Sequence, residues 1–74
     1  MDTNAAPQHI PTEKPECELI GTDGNVFALM GRCTQALQRA GLRDAAKEMK
    51  HRITTGAESY DDALCIMMEY VDPS

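Results

Sequence analysis

The sequence predicts an all-α fold, a compact three-helix bundle with a disordered N-terminal tail and a short extended segment before helix one. Three observations carry this. From residue 25 to residue 71, apolar residues recur at steps of three and four, the period of helix faces turned to a core. Gly, Asn, Asp and Ser interrupt that pattern where caps and tight turns are needed. The chain has 74 residues and is therefore one domain at most. A core of this size rarely supplies more than about 3–5 kcal/mol, so dimerisation or a larger partner is a natural supplement.

Residues 1–15 contain Pro7, Pro11 and Pro15 among polar residues, without apolar periodicity, and read as the disordered tail. Glu16-Cys17-Glu18-Leu19-Ile20 alternates polar and apolar residues. A single strand has no ladder partner within a helical domain, so this stretch is expected to lie extended on the helices. Pairing with a second subunit is the other way it could be used. Thr22-Asp23-Gly24-Asn25 supplies turn and N-cap chemistry for helix one, about 25–40.

Helix one carries Val26, Phe27, Met30, Cys33, Leu37 and Ala40 on its expected buried stripe, with Arg32, Gln35, Gln38 and Arg39 facing water. Gly31 costs about 1 kcal/mol relative to Ala inside a helix, which either close approach of another helix or simple tolerance explains. Gly41 suits the left-handed residue that ends a helix, with Leu42 making the hydrophobic contact of a Schellman stop. Helix two, about 42–55, then puts Leu42, Ala45, Ala46, Met49 and Ile53 on one face and ends at Thr54-Thr55-Gly56.

Ser59-Tyr60-Asp61-Asp62 has the form of a capping box, with carboxylates in the first turn of helix three, about 59–71, where the helix dipole favours them. Tyr60, Ala63, Leu64, Met67 and Val71 form the expected stripe. Ile66, Met68 and Tyr70 fall outside it, so helix three is either central in the bundle or presents these residues as a partner surface. The domain thus covers residues 16–72.

The net charge of −5 is unevenly placed. Between Arg32 and Arg52 six cations face only Asp44 and Glu48, whereas the remainder of the chain sets Lys14 against ten acids. Solvated helix faces with intrahelical ion pairs account for much of this pattern. Arg39, Arg43, Lys47 and Lys50 form a candidate basic face for phosphate, although a pI near 4.7 and the lack of an aromatic platform argue against nucleic acid as the main partner. Asp61, Asp62, Glu69 and Asp72 form a candidate acidic surface that could stand in for phosphates before a basic protein.

No catalytic constellation overlies these elements. Gly21-Thr22-Asp23-Gly24 lacks the lysine and spacing of a phosphate loop, and Asp23-Gly24-Asn25 lacks the later ligands of a calcium loop. Cys17, Cys33 and Cys65 are odd in number and widely spaced, and His9 and His51 complete no zinc spacing; the thiols read as inert hydrophobes. Cys33 or Cys65 could meet His51 in space, but a nucleophile also needs an orienting partner and a pocket. The expectation is a protein that is not an enzyme, with no catalytic residues, cofactor or metal. No apolar run would span a membrane and no signal peptide is evident, which points to the cytoplasm.

Gly21-Thr22-Asp23-Gly24-Asn25-Val26-Phe27-Ala28-Leu29-Met30-Gly31, Ala40-Gly41-Leu42, Ser59-Tyr60-Asp61-Asp62-Ala63-Leu64 and Met68-Glu69-Tyr70-Val71 together resemble a group of small bacterial and tailed-phage proteins of unknown function, often carried on mobile elements. The resemblance covers roughly residues 19–72 and leaves the proline-containing tail outside. It implies a small helical module in a phage or prophage setting and brings no catalytic residues. Small acidic phage proteins often bind host machinery. The functional expectation is therefore a protein–protein interaction module, with a host complex or a second copy as partner. Inhibition of a host nucleic-acid-handling defence complex by the acidic surface, and weak nucleic-acid binding through helix two, are the alternatives.

Overall fold

The computed structural model describes residues 7–19 and 25–73. Its elements are β1 (Glu16–Cys17), α1 (Val26–Arg39), α2 (Arg43–Gly56), α3 (Tyr60–Tyr70) and β2 (Asp72–Pro73). The protein is a three-helix bundle, and each helix agrees with its sequence-derived span to within two residues once caps are counted. Residues 7–15 contain no helix or strand. The expected Thr22-Asp23-Gly24 turn, Ile20 and residues 1–6 lie outside the described residues.

Each helix starts and stops for a local chemical reason. The Asn25 side chain accepts from the Phe27 and Ala28 amides at 2.9 and 3.4 Å, satisfying donors that the first turn of α1 leaves open. At the other end Gly41 takes φ +78°, and the Leu42 and Gly41 amides donate to the Leu37 and Gln38 carbonyls at 2.8 and 3.0 Å. These are the two bonds of a Schellman stop, with half-buried Leu42 packed on the core as its hydrophobic contact. The last turn of α2 is closed partly by side chains: Thr54 and Thr55 hydroxyls donate to the Lys50 and His51 carbonyls at 2.9 and 2.7 Å. Ser59 Oγ accepts from the Asp62 amide at 3.1 Å, and Asp62 reaches back to the Glu58 amide, one residue before the cap, at 3.1 Å. The box expected from Ser59 to Asp62 is therefore present in a form shifted by one residue on its return bond.

The core consists of Leu29, Met30, Cys33 and Leu37 from α1, Ala45, Ala46, Met49 and Ile53 from α2, and Ala63, Met67, Tyr70 and Val71 at α3, closed by Cys17 and Leu19. Three sequence expectations need correction. Leu29 takes the core position assigned to Phe27, which is 75% exposed, and Ala40 is also exposed. The stripe Leu29–Met30–Cys33–Leu37 keeps the helical period, and Phe27 lies between about a quarter and a third of a turn away from its centre. On α3, Tyr60 is 38% exposed instead of joining the stripe, and Tyr70 is fully buried, because Ala63, Met67 and Tyr70 share one face at steps of four and three.

The third correction concerns the extended segment. It lies on the bundle as expected, yet it also has a ladder partner within the chain. β1 pairs in parallel with β2, Glu16 opposite Asp72 and Cys17 opposite Pro73, and the Asp72 amide donates to the Pro15 carbonyl at 2.8 Å. The partner is a two-residue strand formed after α3, where Val71 leaves helical geometry for an extended one and is itself buried.

Candidate functional site

The most connected polar group lies on the seam between α2 and α3. Glu48 and Arg52 are four apart and so share a face of α2. Tyr70 Oη donates to Glu48 Oε1 at 2.7 Å and accepts from Arg52 Nη1 at 3.2 Å. Arg52 also grips Glu69 with both nitrogens, at 2.7 and 3.1 Å, while its guanidinium stands 5.7 Å from the Tyr70 ring centroid. From the other side the Gln8 and His9 amides donate to the two Glu48 oxygens at 2.8 and 3.0 Å.

This arrangement sets the protonation states of its members. Burial pushes the Tyr70 hydroxyl up; the donor from Arg52 lowers it, the bond to Glu48 raises it, and the outcome is about 12. Burial alone would raise Glu48, but the Gln8 amide, the Tyr70 hydroxyl and the His9 amide hold it below the usual carboxylate value. Arg52 is pushed further up by Glu69, against the opposing effect of burial. A permanently charged Arg52 between two carboxylates, with a neutral phenol, makes a clasp between elements. It offers no base or nucleophile poised near neutral pH.

The sequence-derived candidates fall in separate places. In the set Ile66, Met68 and Tyr70, Tyr70 is buried, Ile66 is half-buried against the core and Met68 is 40% exposed. They do not form one accessible apolar face. Within the acidic set, Glu69 is held by Arg52 and Asp62 by the Glu58 amide, whereas Asp61 and Asp72 are exposed near opposite ends of α3. Arg39, Arg43, Lys47 and Lys50 are all exposed. Arg43, Lys47 and Lys50 are brought together along a groove between α1 and α2, with Thr34, Gln38 and Ala46 completing its walls. Arg39 is not among the groove residues.

A surface not anticipated from sequence extends this groove. Thr34, Gln38 and Lys50 also border a second depression lined by Phe27, Met30, Gly31 and Gln35. The two form one trough along the α1–α2 hairpin, cationic towards the hairpin turn and apolar towards the start of α1. Among the described residues, a Cβ on Gly31 would meet no neighbouring atom within 4 Å, so the backbone there lies open to them. Thr34 Oγ1 is shielded from solvent and has no hydrogen-bond partner among the described residues. The available sequence signal was the step of four from Phe27 to Gly31, which puts an aromatic ring and a bare backbone on the same helix face.

Cys17 Sγ and Cys33 Sγ are 3.5 Å apart as two buried free thiols, and Cys65 is exposed. Burial, together with Cys17, pushes the Cys33 thiol up to about 12, opposite to what a nucleophile requires. Among the described residues no group of three or more His, Cys, Asp or Glu is placed to hold a metal ion, and no helix is long and apolar enough to cross a membrane. Comparisons with protein-family models, with curated proteins and with solved structures find no match for this chain.

Proposed function

We propose that this protein is a non-enzymatic helical module of phage or mobile-element type that works by protein–protein contact, and that its contact surface is the α1–α2 trough. One observation carries the choice of surface: Phe27 stands 75% exposed beside the open backbone at Gly31. An aromatic side chain left in water next to a groove is the usual form of a binding anchor, because its burial on contact removes a large apolar area from solvent. The trough replaces the helix-three face first expected, since Tyr70 belongs to the core. The acidic-decoy alternative has weaker support, because two of its four carboxylates are engaged within the chain.

The test compares wild type with Phe27→Asp as bait in affinity capture from a bacterial lysate. Because Phe27 is outside the core, circular dichroism and melting temperature should be nearly unchanged, while specific retention falls at least tenfold. Equal retention of a specific partner by both baits would reject the trough as the contact surface.

A further inference from the structure

We infer that the trough receives the outer face of α3 from a second copy of this chain. The inference rests on the contact reading above and names its partner. The outward positions of α3 are Asp61, Cys65 and Met68, at steps of four and three, with Asp72 following in β2, and all are exposed. Asp62, adjacent and also exposed, reinforces the acidic start. This face is an acidic stripe with an apolar middle.

The trough presents the complementary arrangement. Phe27 and Gln38 are eleven positions apart on α1, about 16 Å at the helical rise, and the helical part of the opposing face, Asp61 to Met68, covers about 10 Å of that length, with Asp72 following in β2. Laying the α3 start over Arg43 and Lys47 sets Asp61 and Asp62 against the cationic end. Met68 then falls towards Phe27, where a thioether beside an aromatic ring is a favourable pairing. Open backbone at Gly31 permits the close helix approach this needs. Lys14 donates to the Met68 carbonyl at 3.1 Å near the end of α3, where the dipole favours a cation, about two helical turns from Asp61 and Asp62.

An apolar anchor separates this partner from nucleic acid. A polyanion and a second copy, itself carrying a net −5, both meet long-range repulsion from the chain, but only the α3 face adds Met68 to pair with Phe27. Placing a second trough against the first would oppose like charges. The exposed carboxylates and exposed cations of one molecule are instead a matched pair for the next.

The closing experiment is sedimentation velocity with light scattering over a concentration series, at about 0.1 M and 1 M salt, where the screening length falls from about 10 Å to about 3 Å. Wild type should self-associate and weaken at high salt, at least tenfold in dissociation constant. Lys47→Glu and Asp61→Lys should each weaken association at least tenfold with helical content unchanged. An equimolar mixture of the two variants should recover a 1:1 complex, because one keeps its α3 face and the other its trough.

Wild type that stays monomeric at its highest soluble concentration in low salt overturns the inference. So does a dimer indifferent to both substitutions, or a labelled DNA oligonucleotide bound by wild type and lost with Lys47→Glu. If the chain is monomeric but Phe27→Asp still abolishes capture of another protein, the contact reading stands and only the choice of partner fails. If both tests are negative, both fail.

Discussion

The Tyr70 hydroxyl joins α2, α3 and, through Glu48, the segment at Gln8 and His9, so a single oxygen can be tested for what it holds. Tyr70→Phe keeps the buried ring and removes the hydroxyl. It should cost about 1–2 kcal/mol in urea unfolding, the range for losing a donor to a charged acceptor that water partly replaces. A double-mutant cycle with Glu48→Gln should show coupling between the two positions; additive losses would deny the bond its role. The pH profile separates the groups further. Folding lifts Tyr70 from 10.0 to about 12 and Cys33 from 9.0 to about 12, so each favours the folded state fully below its unfolded value, and that advantage is lost as pH rises to about 12. Glu48 has the opposite sign: its folded value is depressed, so its contribution is present above the ordinary carboxylate range and lost as pH falls below it. Tyr70→Phe should therefore flatten the alkaline limb, and Glu48→Gln the acidic one. The sequence did not reveal this clasp because Glu48 and Arg52 look like a solvated ion pair within one helix. Only the packing of α3 shows that both turn towards Tyr70 and Glu69. Thiol labelling is a second check at this scale: native protein should take up one equivalent of iodoacetamide rapidly, at exposed Cys65, with Cys17 and Cys33 reacting only on unfolding.

At the level of elements, two glycines should respond with opposite signs. Gly41 is held at φ +78° by the turn that sends α1 into α2, so Gly41→Ala places a Cβ in a left-handed conformation and should cost about 1–2 kcal/mol. Gly31 lies inside α1 with nothing among the described residues near its would-be Cβ, so Gly31→Ala should add about 0.5–1 kcal/mol to stability while weakening contact in the trough. Thermal melts of the two variants check both, and a destabilising Gly31→Ala would mean that the open backbone is needed by the fold itself. Helix ends were largely legible because caps are local: Asn25, Gly41-Leu42 and Ser59 act within a few residues of themselves. Helix faces were less so, since a short apolar run such as Val26-Phe27-Ala28-Leu29-Met30 fits more than one stripe. The choice between Phe27 and Leu29 depends on where α2 lies.

For the whole molecule, the closure of β1 on β2 is the feature least accessible to sequence, because two-residue strands at opposite ends of the domain leave no periodic signal in either. Its consequence is that the proline-containing segment contributes to the bundle although it has no secondary structure. Pro11 is buried, the Pro15 carbonyl accepts from the Asp72 amide, Lys14 reaches the Met68 carbonyl, and the Gln8 and His9 amides reach Glu48. Removing residues 1–15 deletes all of these while leaving every helix intact. Exposed bonds of this kind each contribute about 0.5–1.5 kcal/mol at most, and their shared loss should lower stability by about 1–3 kcal/mol, a large share for so small a core. Hydrogen exchange locates the effect. The Asp72 amide should be protected in the full chain and exchange far faster after truncation, while the Leu37 amide, inside α1, changes only in step with global stability. An Asp72 amide that exchanges freely in both forms would show that the two ends of the domain are not joined in solution, and the loss of stability would then have to arise from Pro11 and Glu48 alone.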